Sequence, residues 1–272
     1  MFQKQLTTTG NHPLVVNFIT YLALSFVCLL GAFNVSWSEL SAEFWIYSIA
    51  GGMVGALGNA FLVKALQGGD LSVLGPINSY KSVVGMIAGI ILLAEIPSVW
   101  GLVGILLIIY GSYFVLDTTE DKFSWALLQR KEIQFRLWAL ILTAIEAVFV
   151  KKVILASSTV VSFISWCWFG AIFSFCLLFV YRLNARNELK KVNSSSFNKY
   201  ALLVICIGTM QFTTNYVFSN MPVGYALSLF QLSTIVSVLL GHRIFKEQGI
   251  GKKLLGSAIM IIGSVVIILL KN

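Results

Sequence analysis

Nine apolar runs, most of them about 20 residues long, follow one another through this 272-residue chain and constrain its fold more than any other feature. They cover 13–33, 44–66, 71–94, 97–116, 136–156, 159–181, 200–220, 224–244 and 250–270. A bilayer core about 30 Å thick takes about 20 residues of helix, so each run matches one crossing. Hydrocarbon offers backbone N–H and C=O groups no partners, so only helices and closed barrels can span it. Barrel strands would show about ten residues of alternating polarity, and these runs are longer and continuous. Charged residues make up 11% of the chain, against about 25% in soluble domains. That deficit excludes a soluble enzyme, a disordered tail and a disulfide scaffold. The expected class is all-α, a polytopic membrane helical bundle of about nine transmembrane helices.

Most connections are very short, Gln67–Asp70 and Glu95–Ile96 among them, so neighbouring helices are antiparallel. Two are longer. Asp117–Gln134 is mixed in charge and predicts a short surface helix with Phe123, Trp125, Leu127 and Leu128 at the membrane interface. Arg182–Lys199 is basic and then Ser/Asn-rich, and predicts a flexible loop. The first run exceeds a signal-peptide core and lacks a basic cluster just before it, so it reads as a retained span. With nine spans, 15 of the 19 basic residues fall on the side of the N-terminus, while Lys151, Lys152 and Lys271 fall on the other. The positive-inside rule then puts the N-terminus in the cytoplasm and the C-terminus outside, in a cell (inner, cytoplasmic) membrane.

The same count explains the net charge of +8 as a topology signal. No basic run interleaves with aromatics as a nucleic-acid face would. Cys28, Cys167, Cys176 and Cys206 lie inside apolar runs without a CxxC spacing and read as small packing residues. His12 and His242 are too few and too scattered for a metal site. There is no phosphate-binding loop, no GxSxG and no HExxH, so neither an enzyme nor a cofactor is expected.

The chain repeats itself. A shift of 152 residues places Gly89, Glu95, Gly104 and Gly111 on Gly241, Glu247, Gly256 and Gly263, Asn59 on Gln211, and Lys81-Ser82 on Ser233-Thr234. A shift of 145 aligns VVNFITY (Val15–Tyr21) with VVSFISW (Val160–Trp166). The second copy has five helices, and an odd-numbered repeat inverts with each copy, which is the architecture of secondary transporters. The expected division is an N-terminal repeat over 1–117 with four helices and a stub, a linker over 118–135, and a C-terminal repeat over 136–272. Phe2–Leu6 aligns with Phe149–Val153, the tail of the second copy's first helix. The first copy therefore reads as beginning just after a helix that relatives possess.

GMIAGIILLAEIPSVWGLVGILLIIYG (Gly85–Gly111) and SVLLGHRIFKEQGIGKKLLGSAIMIIG (Ser237–Gly263) carry a family pattern: apolar residues, a Gly, a Glu at the helix end, and a Gly-spaced closing helix. In this the chain resembles the drug/metabolite transporter superfamily, specifically EamA-type proteins, which have ten helices as two five-helix repeats. The resemblance implies fold and transport. It names no cargo, and the absent first helix is the departure from the family pattern.

Lys81 lies within an apolar run, where a central charge costs about 2.5–3.5 kcal/mol on insertion scales. Asn78, Lys81 and Gly85 form one polar stripe expected to face the bundle interior. Lys81 is either a contact for a substrate carboxylate or a structural lysine, paired or snorkelling. Glu146 resembles the membrane-embedded glutamate of small multidrug exporters, which exchanges protons for cationic drugs; the other reading is an ion pair with Lys81. Asn17, Asn59, Asn78, Gln211, Asn215 and Gln231 would complete a midplane lining around Lys81, or else serve as packing glue between helices. Tyr21 and its repeat mate Trp166, with Tyr80 and Trp168, are candidates for stacking on aromatic cargo. Glu95 and Glu247 read as helix-terminus or gating contacts. Gly51 and Gly55, Gly85 and Gly89, and the pairs Gly104/Gly111 and Gly256/Gly263 allow close helix approach.

These readings converge on a secondary transporter of a small metabolite, an amino acid or amphipathic compound, working by alternating access in the export direction. A proton or other ion is the expected coupling partner, and a homodimer is left open. A lipid or lipid-precursor flippase and a non-transporting membrane sensor or assembly subunit are the alternatives.

Overall fold

The computed structural model describes residues 12–68, 80–116, 129–183, 194–233, 236 and 250–270. Among them every regular element is helical. In chain order these are α1 (Pro13–Ala32), α2 (Ala42–Gly68), α3 (Lys81–Leu93), α4 (Val99–Leu116), α5 (Lys131–Leu155), α6 (Thr159–Val180), α7 (Ser194–Asn220), α8 (Val223–Leu229) and α9 (Ile250–Leu269), with 3-10 turns at Trp37–Glu39 and Phe230–Leu232. Four of them, α1, α2, α6 and α7, are long and apolar enough to cross a membrane. Helix α5 is as long, at 25 residues. The structure is that of a helical membrane bundle.

Starts follow local chemistry. Pro13 opens α1, where its missing N–H costs nothing. Ser158 caps α6 by accepting from Val161 N at 3.2 Å, Ser98 caps α4 by accepting from Gly101 N at 3.1 Å, and Ser41 accepts from Phe44 N at 3.3 Å at the head of α2.

The boundaries depart from the apolar runs in three places. Helix α5 begins at Lys131, taking in polar residues assigned to the linker. Helix α7 begins at Ser194, so part of the expected flexible loop is its first turn. In both, polar residues extend the helix beyond its apolar stretch, a length that hydropathy alone cannot measure. The run over 224–244 opens as α8, only seven residues long, before tightening into the 3-10 turn. Residues 117–128, most of the expected surface helix, lie outside the described residues.

Two compact units share the chain: Met1–Val63 with Phe149–Asn220, and Lys64–Val148 with Met221–Asn272. Neither follows the repeat boundaries; each takes helices from both copies. In the first unit α1 packs on its repeat mate α6. Phe18 meets Phe175, Tyr21 meets Trp166 and Gly170, and Gly31 meets Ile164, so the pair runs antiparallel. In the second unit α4 packs on its repeat mate α9. A Cβ at Gly104 would stand 2.7 Å from the carbonyl oxygen of Gly263, and one at Gly111 would stand 2.6 Å from that of Gly256. Under the 152-residue shift, Gly104–Gly263 becomes Gly256–Gly111. The two contacts exchange with one another, which a two-fold axis crossing this antiparallel pair requires.

Candidate functional site

The candidate residues fall into two groups. Asn17, Tyr21, Asn59, Trp166, Gln211 and Asn215 belong to the first unit, and Lys81, Glu146 and Gln231 to the second. Asn78 and Glu247 lie outside the described residues.

In the first unit, Tyr21 and Trp166 have ring centroids 4.7 Å apart at 58°. They are equivalent under the 145-residue shift, so the mates touch where α1 and α6 cross. Gly170 makes room: a Cβ there would lie 2.5 Å from the Tyr21 ring. The Tyr21 hydroxyl accepts from Asn59 Nδ2 at 3.3 Å. One turn before Tyr21 on α1, Asn17 is half-buried on the same helix face. Phe163 links Trp166, 6.4 Å away, to Phe212, 5.7 Å away on α7. On that helix the side-chain amides of Gln211 and Asn215 meet at 2.9 Å, and Asn215 is fully buried. The result is an aromatic and amide cluster carried by α1, α2, α6 and α7. Trp168 is engaged elsewhere, stacked at 5.0 Å on Trp37, whose Nε1 donates to Ala32 O at 2.9 Å. Tyr80 is exposed. Cys28 and Cys167 are buried side by side as free thiols where α1 meets α6.

In the second unit, Lys81 opens α3 and has two charged neighbours on α5: Glu146 of opposite sign and Arg136 of the same sign. All three are half-buried. Arg136 escaped the sequence reading because the apolar run was started at that very residue. With α5 beginning at Lys131, Arg136 lies inside the helix rather than at its lip. Gln231 is buried within the 3-10 turn that follows α8.

Glu95 joins two helix ends. Its Oε2 accepts from Val223 N at 2.8 Å, at the head of α8, and its own N–H bonds Gly89 O at 3.2 Å, closing α3. Next to it the hydroxyl of buried Tyr225 accepts from Ser98 N at 2.9 Å and fills the space where Gly101 has no side chain. No sequence motif marked Tyr225; the glycine facing it, Gly101, was the available signal.

Residues 1–117 match the EamA-like transporter family. Members of that family are membrane transporters of the drug/metabolite type. None of the curated proteins compared with it matches significantly. Twenty-seven chains of solved structures do. One of them, described only as the crystal structure of a protein, shares 16% identity and a TM-score of 0.76 over 99% of this chain and 93% of its own. At that identity it shows a shared fold and nothing finer.

Proposed function

We propose that this EamA-like protein is a secondary active transporter that exports a small polar or amphipathic metabolite, an amino acid being the first candidate, by alternating access across the cytoplasmic membrane. The N-terminus is assigned to the cytoplasm and the C-terminus to the outside by the distribution of Lys and Arg. The observation that carries the reading is the grouping of Lys81, Arg136 and Glu146 within one unit. Charges inside membrane helices are costly and mark solute or ion paths. A carboxylate beside two cations can hold a solute ammonium or a proton, and the cations can hold a carboxylate. The amide and aromatic cluster around Tyr21 supplies neutral hydrogen bonding and stacking.

Reconstitution into liposomes with a mixture of metabolites tests this. Wild-type protein is expected to move at least one solute, and Lys81→Ala and Glu146→Gln to cut its flux at least about tenfold, a loss of about 1.4 kcal/mol. Equal flux of every solute through wild type and both variants would remove these residues from the transport path. Movement of lipid alone would favour a flippase.

A further inference from the structure

Within the first unit, α2, the end of α5 and the start of α6 border a small cleft. Tyr47, Ser48, Gly51, Gly52, Val150, Val153, Ser162, Ser165 and Trp166 line it, and its free volume of about 10 Å³ suits a single water-sized occupant. Ser48 is 6% exposed and its Oγ has no hydrogen-bond partner among the described residues. A buried hydroxyl left unpaired costs the full desolvation of its donor and acceptor, so this lining asks for something polar.

The other two serines can receive it. Ser165 Oγ spends its proton on Ser162 O at 2.9 Å and keeps its lone pairs. Ser162 Oγ makes only a long bond of 3.5 Å to Val150 O. Charge selects among small occupants. Every polar side chain of the lining is a neutral hydroxyl or indole, and Tyr47 Oη already accepts from Lys152 Nζ at 2.9 Å, with that ammonium 4.4 Å from the ring. A sodium-sized cation would meet this ammonium with no carboxylate in the lining to offset it. Glycine shapes the wall as well: a Cβ at Gly52 would stand 2.5 Å from Phe169 Cβ, so α2 and α6 approach too closely here for a side chain to fill the gap.

We propose that this cleft is a binding site for one water molecule, which accepts from Ser48 Oγ, donates to Ser165 Oγ and so ties α2 to α6 beside the end of α5. Trp166 borders both this cleft and Tyr21, so the water supports the ring on which the aromatic cluster is built.

The test rests on a sign. In full-length protein held in nanodiscs, Ser48→Ala strips a partner from a bound water and is expected to lower the unfolding midpoint by about 2–4 °C. In a dry cleft the same change deletes an unpaired hydroxyl and leaves the midpoint unchanged or raises it, and either result overturns the proposal. A second measurement does not depend on stability. X-ray hydroxyl-radical footprinting of the wild type is expected to label Trp166 and Tyr47 at least twofold above Phe44, which is fully buried, and Ser48→Val to abolish that excess. Equal labelling of all three in the wild type would also overturn it. Neither readout involves a solute, so failure here is distinct from failure of the transport proposal.

Discussion

The two helix pairs formed by repeat mates are joined in different ways. Between α4 and α9 the contact is backbone on backbone: Gly104 and Gly263, then Gly111 and Gly256, bring carbonyl oxygens to within 2.6–2.7 Å of where a Cβ would be. Between α1 and α6 the contact runs through side chains. Tyr21 rests on Trp166 and in the space left by Gly170, while the single hydroxyl proton of Ser25 is shared between Tyr21 O at 2.8 Å and Cys167 O at 3.0 Å. Lipid tails are as apolar as leucine, so helices in a bilayer gain little from apolar burial and depend on close packing and polar bonds. One pair uses the first device and the other adds the second. The first leaves almost no tolerance for added atoms, whereas the second can lose a bond and keep its shape.

The largest effect expected from this difference is at the glycine pair. Gly104→Leu must displace the α9 backbone, and even a single methyl meets Ile267 and the Gly263 carbonyl. Gly104→Ala is expected to cost about 1–3 kcal/mol, the usual range for overpacking, and Gly104→Leu to leave little folded protein in a size-exclusion profile. On α1, Gly31→Ala meets only the flexible tip of Ile164 at 3.8 Å and is expected to be silent. Equal yields from Gly104→Leu and Gly31→Ala would erase the distinction between the two pairs.

The side-chain pair should break more gently. Tyr21→Phe keeps the ring on Trp166 and removes only the hydroxyl that accepts from Asn59. Interhelical hydrogen bonds in membranes average about 0.6 kcal/mol, so the unfolding midpoint should fall by only a degree or two. A drop as large as that of Gly104→Ala would show that the hydroxyl, rather than ring packing, holds α1 to α6.

Helix existence was readable because hydropathy over about 20 residues reports burial in a solvent of known thickness. The repeat was readable because spaced glycines and a glutamate survive in register across 152 positions. What composition cannot carry is where polar residues extend a helix past its apolar core. That is why α5 and α7 begin earlier than their runs and why Arg136 was missed beside Lys81. The site was less legible than the fold for a related reason. A list of polar residues in apolar runs holds no record of which helices pack together. One lining around Lys81 was expected; the packing within each unit resolves an amide and aromatic cluster in one and a charged group in the other. Tyr47, Ser48, Ser162 and Ser165 carried no motif, and a shared cleft appears only once three helices have met.

An effect of the opposite sign is expected at the end of α3, where backbone geometry again dominates. Ala94 closes the helix in the left-handed region at φ 53°, and its N–H and that of Glu95 both bond Gly89 O. For an L-residue that conformation costs about 1–2 kcal/mol because Cβ crowds the following carbonyl. The turn is kept because it places Glu95 Oε2 on Val223 N at the head of α8. Glycine would adopt the same turn without strain, at an entropic cost in the unfolded chain of about 0.4–1 kcal/mol. Ala94→Gly is therefore expected to stabilise the protein by up to about 1.6 kcal/mol, raising the midpoint by no more than about 6 °C and leaving transport unchanged. A lowered midpoint would mean that the Ala94 methyl packs usefully. The junction would then be held by side chains, as α1 and α6 are.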